Sequence, residues 1–202
     1  MKITKLPIKK VSISGVHGVG KTTLIHNISQ KFNLLPSIER PQNPFLIPYE
    51  AMLFFIAAFS WRDKEIISKN KSFLIDRWSI IDISVYIKVL YNMRKISKNQ
   101  YVALVTALNN CESNDLIPDI AILLDDEPNN ILKRIELYEE PSKHHIFERD
   151  FNFITLLRNE FLFNFKELSS TERFSNTKIC ILQINGKNSK NVLDEATNIL
   201  LT

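Results

Sequence analysis

Residues 15 to 22 read Gly15-Val16-His17-Gly18-Val19-Gly20-Lys21-Thr22, which satisfies the pattern G-x-x-x-x-G-K-[ST]. Its glycines lack a Cβ, so the main chain can curl and turn its N–H groups inward. With the N-terminus of a following helix, these groups form a cradle for phosphate oxygens. The pattern predicts a phosphate-binding loop in which Lys21 reaches the β- and γ-phosphates and Thr22 ligates Mg²⁺.

The residues on either side of the loop support this prediction. Residues 9–14 read as a short strand, and residues 23–32 place their apolar side chains on one face of a helix. Strand, loop and helix therefore follow one another in the order that phosphate binding requires.

Composition limits the classes of protein that this chain can represent. Its 202 residues are 45% hydrophobic and 24% charged, which is typical of one globular domain, and we predict a single domain over residues 1–202. The net charge of +4 suits a small anionic substrate and is too weak to indicate nucleic acid. Cys111 and Cys180 have no zinc-ligand or disulfide-framework spacing, so we expect a reducing cytoplasm.

No membrane segment is expected. The N-terminal residues lack an apolar stretch of signal-peptide length before the first strand. The most apolar stretch, residues 51–61, is too short to span a bilayer and is bounded by Glu50 and Arg62. We therefore predict a buried helix there, and a soluble protein without a membrane partner.

Strand-like and helix-like segments alternate along the chain. Strands are predicted near residues 11–14, 34–39, 72–76, 119–124 and 178–184, with helices near residues 20–32, 49–68, 80–93, 100–111, 129–138, 150–168 and 189–200. The third and fourth strands are continuously apolar, as strands covered on both faces are. The pattern predicts an α/β fold of the P-loop NTPase type: a three-layer sandwich with a five-stranded parallel sheet and helices on both faces.

Charged residues follow the predicted strands at their carboxyl ends, where ligands bind in such sheets. They are Glu39-Arg40 after the second strand, Asp76-Arg77 after the third and Asp125-Asp126 after the fourth. Asp76 and Asp125 each end an apolar strand, so either carboxylate is a candidate to support Mg²⁺. Helix capping is the alternative role of Asp125 and Asp126, and a surface salt bridge is the alternative for Arg77.

The chain resembles the thymidylate kinase branch of P-loop nucleotide kinases over nearly its whole length. Four segments carry the resemblance. They are residues 13–24, residues 49–54 with Phe73-Leu74-Ile75-Asp76-Arg77-Trp78, residues 118–135, and residues 147–153 with Arg158 and Phe161. Residues 183–186 resemble the last strand of that family.

The resemblance implies transfer of the ATP γ-phosphate to a nucleoside monophosphate, with dTMP as the leading acceptor and Mg²⁺ as the cofactor. ATP would be held by Gly15, Val16, His17, Gly18, Val19, Gly20, Lys21, Thr22 and Thr23. Arg77 and Arg40 would hold the acceptor phosphate, and Phe54 would stack on its base, although a core aromatic is an equal alternative for Phe54. Asp76 would support Mg²⁺ or orient the acceptor. The resemblance also implies a homodimer.

Several residues depart from the family pattern. His17 stands where the family usually has Asp. Trp78 stands where it has Tyr, so by the resemblance Trp78 would bind substrate by lining the acceptor pocket. Ala58 replaces an arginine that faces the acceptor phosphate, and Arg62, one helical turn further on, is a candidate substitute.

The resemblance also implies a small lid at about residues 134–150. This segment lacks the paired arginines that the family often has in R-x-x-x-R spacing, because Tyr138 stands four residues after Arg134. Lys143, Arg149 and Arg134 are the candidates to close over the transferring phosphate. Two alternatives stay open: a nucleoside or deoxynucleoside kinase with a hydroxyl acceptor, and a regulatory ATP-binding protein that has lost transfer activity.

Overall fold

The computed structural model describes residues 10–37, 47–68, 72–111, 116–138 and 149–202. Within those residues, five strands form one parallel sheet in the order β2-β3-β1-β4-β5. The strands are β1 (Lys10–Ser14), β2 (Leu35–Ser37), β3 (Phe73–Asp76), β4 (Ile120–Asp125) and β5 (Lys178–Gln183). Every residue of β3 and β4 is buried, which agrees with the prediction from their continuously apolar sequences.

Helices connect the strands and cover the sheet on both sides. In the described residues they are α1 (Lys21–Phe32), α2 (Pro48–Ser68), α3 (Ser79–Asn92), α4 (Lys98–Cys111), α5 (Pro128–Tyr138), α6 (Phe151–Leu168) and α7 (Ser189–Leu201). A short 3₁₀ turn, Glu172–Phe174, precedes β5. No helix in these residues has both the length and the apolar character needed to cross a bilayer.

Two helical groups pack against the sheet. Helices α1 and α7 contact each other, and they also contact strands of the sheet. In the second group, α3 packs on α2, α4 and α6, and α6 reaches β4 and β5. The core between these layers is dominated by Ile, Leu, Val and Phe, and the largest side chains that are fully buried in it include Phe161 and Phe165.

The sheet topology fixes the place of the phosphate-binding loop. From β1 the chain passes to the edge strand β2, returns to β3 beside β1, and then crosses to β4 and β5 on the other side of β1. The carboxyl end of β1 therefore lies at the point where strand order reverses, which is where α/β sheets bind ligands. The loop at residues 15–20 begins there, between the ends of β3 and β4.

The predicted fold is confirmed, with helix and strand ends within two residues of expectation for most elements. The exception is the proposed lid. Residues 134–138 belong to α5, residues 139–148 lie outside the described part of the chain, and α6 begins at Phe151. The extent of a lid over residues 134–150, and the single-domain boundary 1–202, stay predictions.

Candidate active site

The phosphate-binding loop is pressed between β4 and α5. A Cβ on Gly15 would lie 2.6 Å from the carbonyl oxygen of Leu124, and a Cβ on Gly18 would lie 2.5 Å from Cγ1 of Ile135. Both glycines also have positive φ angles, 139° and 75°, which other residues rarely adopt. The requirement for glycine at these two positions is therefore both steric and conformational.

The loop ends at the N-terminus of α1, where no side chain caps the helix. Gly20 is the N-cap residue, with a left-handed main chain, and the first turn holds no acidic residue. The first N–H groups of a helix have no partner inside the helix and carry partial positive charge. This end of α1 can accordingly accept an anion, as expected from the sequence.

Lys21 is buried at the centre of the loop. Its Nζ donates hydrogen bonds to the carbonyl oxygens of Gly15 and Val16, each at 2.8 Å. The loop residues Val16, His17 and Val19 are buried around it, whereas Thr22 and Thr23 are exposed at the start of α1. The sequence-predicted loop residues are thus brought together, with the Thr22 hydroxyl accessible at the rim.

Asp76 ends β3 beside the start of the loop. It pairs in register with Ile13 of β1, and its side chain is buried. Neither of its carboxylate oxygens has a hydrogen-bond partner among the described residues. Because an unpartnered buried carboxylate is costly, such a group is characteristic of functional sites.

Arg77 follows Asp76 and turns towards the loop. Its Nη1 lies 3.5 Å from the carbonyl oxygen of Gly15 and 3.4 Å from Oδ1 of Asp82, and its guanidinium lies over the Tyr86 ring at 5.3 Å. Arg77 is also 8% exposed. A surface salt bridge, the alternative weighed from sequence, does not describe this buried side chain.

Asp82 is a site residue that sequence reasoning missed. It lies in the first turn of α3, and its Oδ2 accepts the hydroxyl of Ser14. Burial raises the pKa of Asp82 to about 6, against the opposing effects of Arg77, the Ser14 hydroxyl and Lys21; the nearby Asp76 raises it further. The available signal was an acidic residue in the first turn of an otherwise apolar helix.

Arg62 donates hydrogen bonds to the main chain at the end of β3. Its Nη1 donates to the carbonyl oxygen of Asp76 at 2.7 Å, and its Nη2 donates to the carbonyl oxygen of Arg77 at 3.1 Å. Arg62 was predicted to replace the arginine absent at Ala58 in holding the acceptor. That contact with the acceptor stays a prediction. The observed hydrogen bonds instead join the guanidinium to the main chain of Asp76 and Arg77.

The two aromatic residues predicted to bind substrate differ in their surroundings. Phe54 is half-buried on α2 and meets the Phe55 ring edge-on at 5.7 Å between centroids. Trp78 is 3% exposed, and its ring packs edge-on against Phe174 at 5.0 Å. Its packing in the core does not favour the predicted substrate contact, which nevertheless stays a prediction.

The carboxylates that follow β4 are engaged in ion pairs. Oδ1 and Oδ2 of Asp125 accept hydrogen bonds from Arg158 at 2.7 and 3.1 Å, and Gln183 also donates to Oδ2. Asp126 accepts the N–H of Glu127 and pairs with Arg134, whose Nε donates to the carbonyl oxygen of Gly18 at 3.1 Å. Arg134 therefore ties α5 to the phosphate-binding loop.

Of three other predicted residues, the structure describes only one. Arg149, proposed to act in catalysis, is half-buried immediately before α6. Arg40, proposed to hold the acceptor, lies outside the described residues, as does Lys143.

The described residues fit a Mg²⁺ ion at Asp76 better than at Asp125. The oxygens of Asp76 lack hydrogen-bond partners, whereas those of Asp125 are occupied by Arg158 and Gln183. Magnesium prefers oxygen ligands and is usually held by one or two protein groups together with substrate phosphates. Thr22 and Asp76 would supply that kind of incomplete protein ligand set.

Comparison with known proteins supports the fold. No protein-family profile matches the chain. A curated deoxyadenosine/deoxycytidine kinase of Bacillus subtilis is 25% identical over 138 residues, covering 62% of this chain and 64% of that protein. The match therefore spans less than two thirds of that relative.

Solved structures of two kinds of kinase have the same architecture. A deoxyadenosine kinase from M. mycoides with bound dCTP has a TM-score of 0.76 at 18% identity, covering 95% of this chain and 98% of that chain. A thymidylate kinase from Candida albicans has a TM-score of 0.69 at 18% identity, covering 98% and 93% respectively. The likeness is thus not specific to thymidylate kinases, and what it establishes is the fold that these P-loop kinases share.

Proposed function

We propose that this protein is an ATP-dependent phosphotransferase that acts on a nucleoside or nucleotide. Of these two classes of acceptor we favour the nucleoside, and specifically the 5′-hydroxyl of a deoxynucleoside. The observation that carries the proposal is the meeting of Lys21 and Arg77 at the Gly15 carbonyl. The first residue belongs to the donor-binding loop, and the second ends the adjacent strand. Donor phosphate and acceptor would therefore meet between β1 and β3.

The donor half is the phosphate-binding loop. The N–H groups of residues 15–23 and the N-terminus of α1 would surround the ATP phosphates, and Lys21 would exchange its carbonyl partners for the β- and γ-phosphates. Mg²⁺, held by Thr22 and Asp76, would supply neutralisation of phosphate charge. Catalysis in this reaction depends on positioning and positive charge more than on covalent chemistry by the protein.

The acceptor half favours a hydroxyl over a phosphate. A phosphate acceptor brings negative charge that arginines must hold, yet position 58 is alanine and Arg62 donates to main-chain carbonyls. Transfer to a hydroxyl breaks the bond between the γ-phosphorus and its bridging oxygen and forms a new bond to the 5′-oxygen. Asp76, which has no hydrogen-bond partner in the described residues, is the candidate to accept the released proton or to hold Mg²⁺.

The similarity to deoxyadenosine kinases also supports a deoxynucleoside acceptor. The curated relative is named for deoxyadenosine and deoxycytidine, and the deoxyadenosine kinase structures have higher TM-scores than the thymidylate kinase. We therefore rank deoxyadenosine and deoxycytidine ahead of the dTMP favoured by the sequence patterns.

Phosphorylation of dTMP is the second candidate function. Its specific support is the similarity to the Candida albicans thymidylate kinase over 98% of this chain. Arg77 would then bind the acceptor phosphate, and Arg40 would assist it. Phe54 would stack on the base in either case, because every base offers an aromatic face.

The test is an acceptor screen on the purified full-length chain with ATP and Mg²⁺. The four deoxynucleosides and their 5′-monophosphates are each supplied, ADP release is followed, and products are separated by anion exchange. The proposal expects at least tenfold higher kcat/KM for one deoxynucleoside than for its monophosphate. Transfer to monophosphates alone would select the dTMP-kinase alternative, and ATP binding without any transfer would select a regulatory protein.

A further inference from the structure

The turn that presents Arg77 has an unfavourable main-chain conformation. Arg77 has φ 71°, in the left-handed region that residues with a Cβ rarely occupy. Its N–H donates to the carbonyl oxygen of Ile13 at 2.9 Å, which fixes one side of the turn to β1. A strained residue at a ligand-binding strand end persists only where the surrounding contacts hold it.

Arg62, on α2, contacts this turn at three points. Besides the carbonyl oxygens of Asp76 and Arg77, its Nη2 reaches the hydroxyl of Ser79 at 2.8 Å. One planar guanidinium therefore links the last residue of β3, the strained residue and the first residue of α3. Only the fixed fork of an arginine presents donors in such an arrangement.

The guanidinium of Arg62 is itself held in place. Its Nε donates to Oδ1 of Asp63 at 2.9 Å, and it lies over the Phe59 ring at 4.5 Å. Oδ2 of Asp63 accepts the Ser79 hydroxyl, which closes the network. Because Arg62 and Asp63 are only 8% and 6% exposed, the network lies inside the protein and is shielded from water.

We propose that Arg62 is a positioning residue that holds the Asp76–Arg77 turn so that the Arg77 guanidinium points towards the phosphate-binding loop. This inference rests on the proposed function for its catalytic consequence, because Arg77 is taken to contact the acceptor or the transferring phosphate. We call Arg62, Asp63 and Ser79 the clamp, because Asp63 and Ser79 hold the guanidinium of Arg62 in place. In this role Arg62 does not bind substrate directly, because the terminal nitrogens of its guanidinium already donate hydrogen bonds to main-chain carbonyl oxygens.

A kinetic double-mutant cycle tests the coupling between Arg62 and Arg77. Arg62→Met is expected to lower kcat/KM for the acceptor by about tenfold to a hundredfold, because displacing a positioning group by about 1 Å has costs of that size. ATP affinity should change less than twofold. In an Arg77→Ala background, the same substitution should lower kcat/KM less than threefold, because the side chain that Arg62 positions is absent.

Three further variants sharpen the cycle. Arg62→Lys keeps the charge but lacks the fork, so it should fail to restore activity. Ser79→Ala removes one partner and should give a smaller loss in the same direction, which keeps the test usable if Arg62→Met folds poorly. Lys64→Met, at an exposed position two residues along α2, is the matched control and should retain full activity.

Hydrogen exchange measured by mass spectrometry, without substrates, separates the clamp from the proposed function. Arg62→Met should speed exchange at residues 76–82 at least tenfold and leave residues 21–32 unchanged. Equal exchange in both proteins, or the same loss of kcat/KM with and without Arg77, would overturn the inference. If the wild-type chain transfers phosphate to no acceptor, the kinase proposal fails while the exchange result still decides the clamp.

Discussion

The carboxylate of Asp82 lies 3.4 Å from the guanidinium of Arg77, and both side chains are buried at the start of the phosphate-binding loop. The positive charge of Arg77 is therefore partly balanced by the carboxylate of Asp82. An anionic ligand near Arg77 would compete with Asp82 for the same guanidinium.

Asp82 should give the protein a recognisable pH dependence of stability. Burial raises its pKa from the usual 3.8 to about 6, so between those values the folded protein retains a proton that the unfolded chain releases. The contribution of Asp82 to the free energy of unfolding therefore falls as pH rises through this window, by on the order of 3 kcal/mol, and levels off above it. Urea unfolding of wild type and Asp82→Asn at pH 4 to 7 measures the difference, and parallel pH curves would contradict the assignment.

Lys21→Ala should abolish phosphate transfer while leaving the fold intact. The change removes the ammonium that would hold the β- and γ-phosphates, and we expect at least a thousandfold loss of kcat, in line with the loss of a major electrostatic contact. A coupled ADP-release assay measures the loss, with circular dichroism as the check on folding. Near-normal turnover in this variant would show that the site is assigned wrongly.

Asp76 and Asp125 should respond oppositely to the same substitution. Asp76→Asn replaces a buried carboxyl group that has no hydrogen-bond partners in the described residues, so the melting temperature should stay equal or rise while kcat falls at least a hundredfold. Asp125→Asn instead breaks the pair with Arg158 and should cost about 3 kcal/mol of stability. Thermal unfolding and kcat are measured on both variants, and a large loss of stability in Asp76→Asn would count against a functional role.

Gly18→Ala and Gly186→Ala form a matched pair for the packing of the loop. Both glycines have φ near +75°, but an added Cβ meets Ile135 at 2.5 Å in the first case and nothing within 4 Å in the second. Gly186→Ala should cost only the conformational penalty of about 1–2 kcal/mol. Gly18→Ala should add about 1–3 kcal/mol of overpacking and weaken ATP binding. Equal unfolding free energies for the two variants would refute the predicted contact between the loop and α5.

The fold could be predicted because its determinants are periodic in the sequence. The continuously apolar segments of β3 and β4 and the apolar face of α1 each indicate their element locally. The alternation of these elements and the glycine-rich loop then indicate a five-stranded parallel sheet of the P-loop type, whereas the strand order is seen only in the structure. The short 3₁₀ turn at Glu172–Phe174 carried no such pattern and was not predicted.

The partners of individual side chains could not be predicted in the same way. Arg62 was placed by its position one helical turn beyond Ala58, and this spacing gives no information about the main-chain carbonyls of Asp76 and Arg77 to which it donates. Asp82 was missed for the same reason, since its partner Ser14 lies 68 residues away. Sequence patterns identify which residues share a strand end, whereas hydrogen-bond partners depend on how the elements pack.

Transfer to a deoxynucleoside hydroxyl is tested by identifying the first product formed from deoxyadenosine and ATP-Mg²⁺. Anion-exchange chromatography of a time course, with the Lys21→Ala variant as the blank, separates the deoxynucleoside, its monophosphate and its diphosphate. We expect dAMP to appear at the same rate as ADP. With deoxycytidine as the acceptor, we expect dCMP to appear at the same rate as ADP. Conversion of added monophosphates to diphosphates, with both deoxynucleosides left untouched, would contradict it.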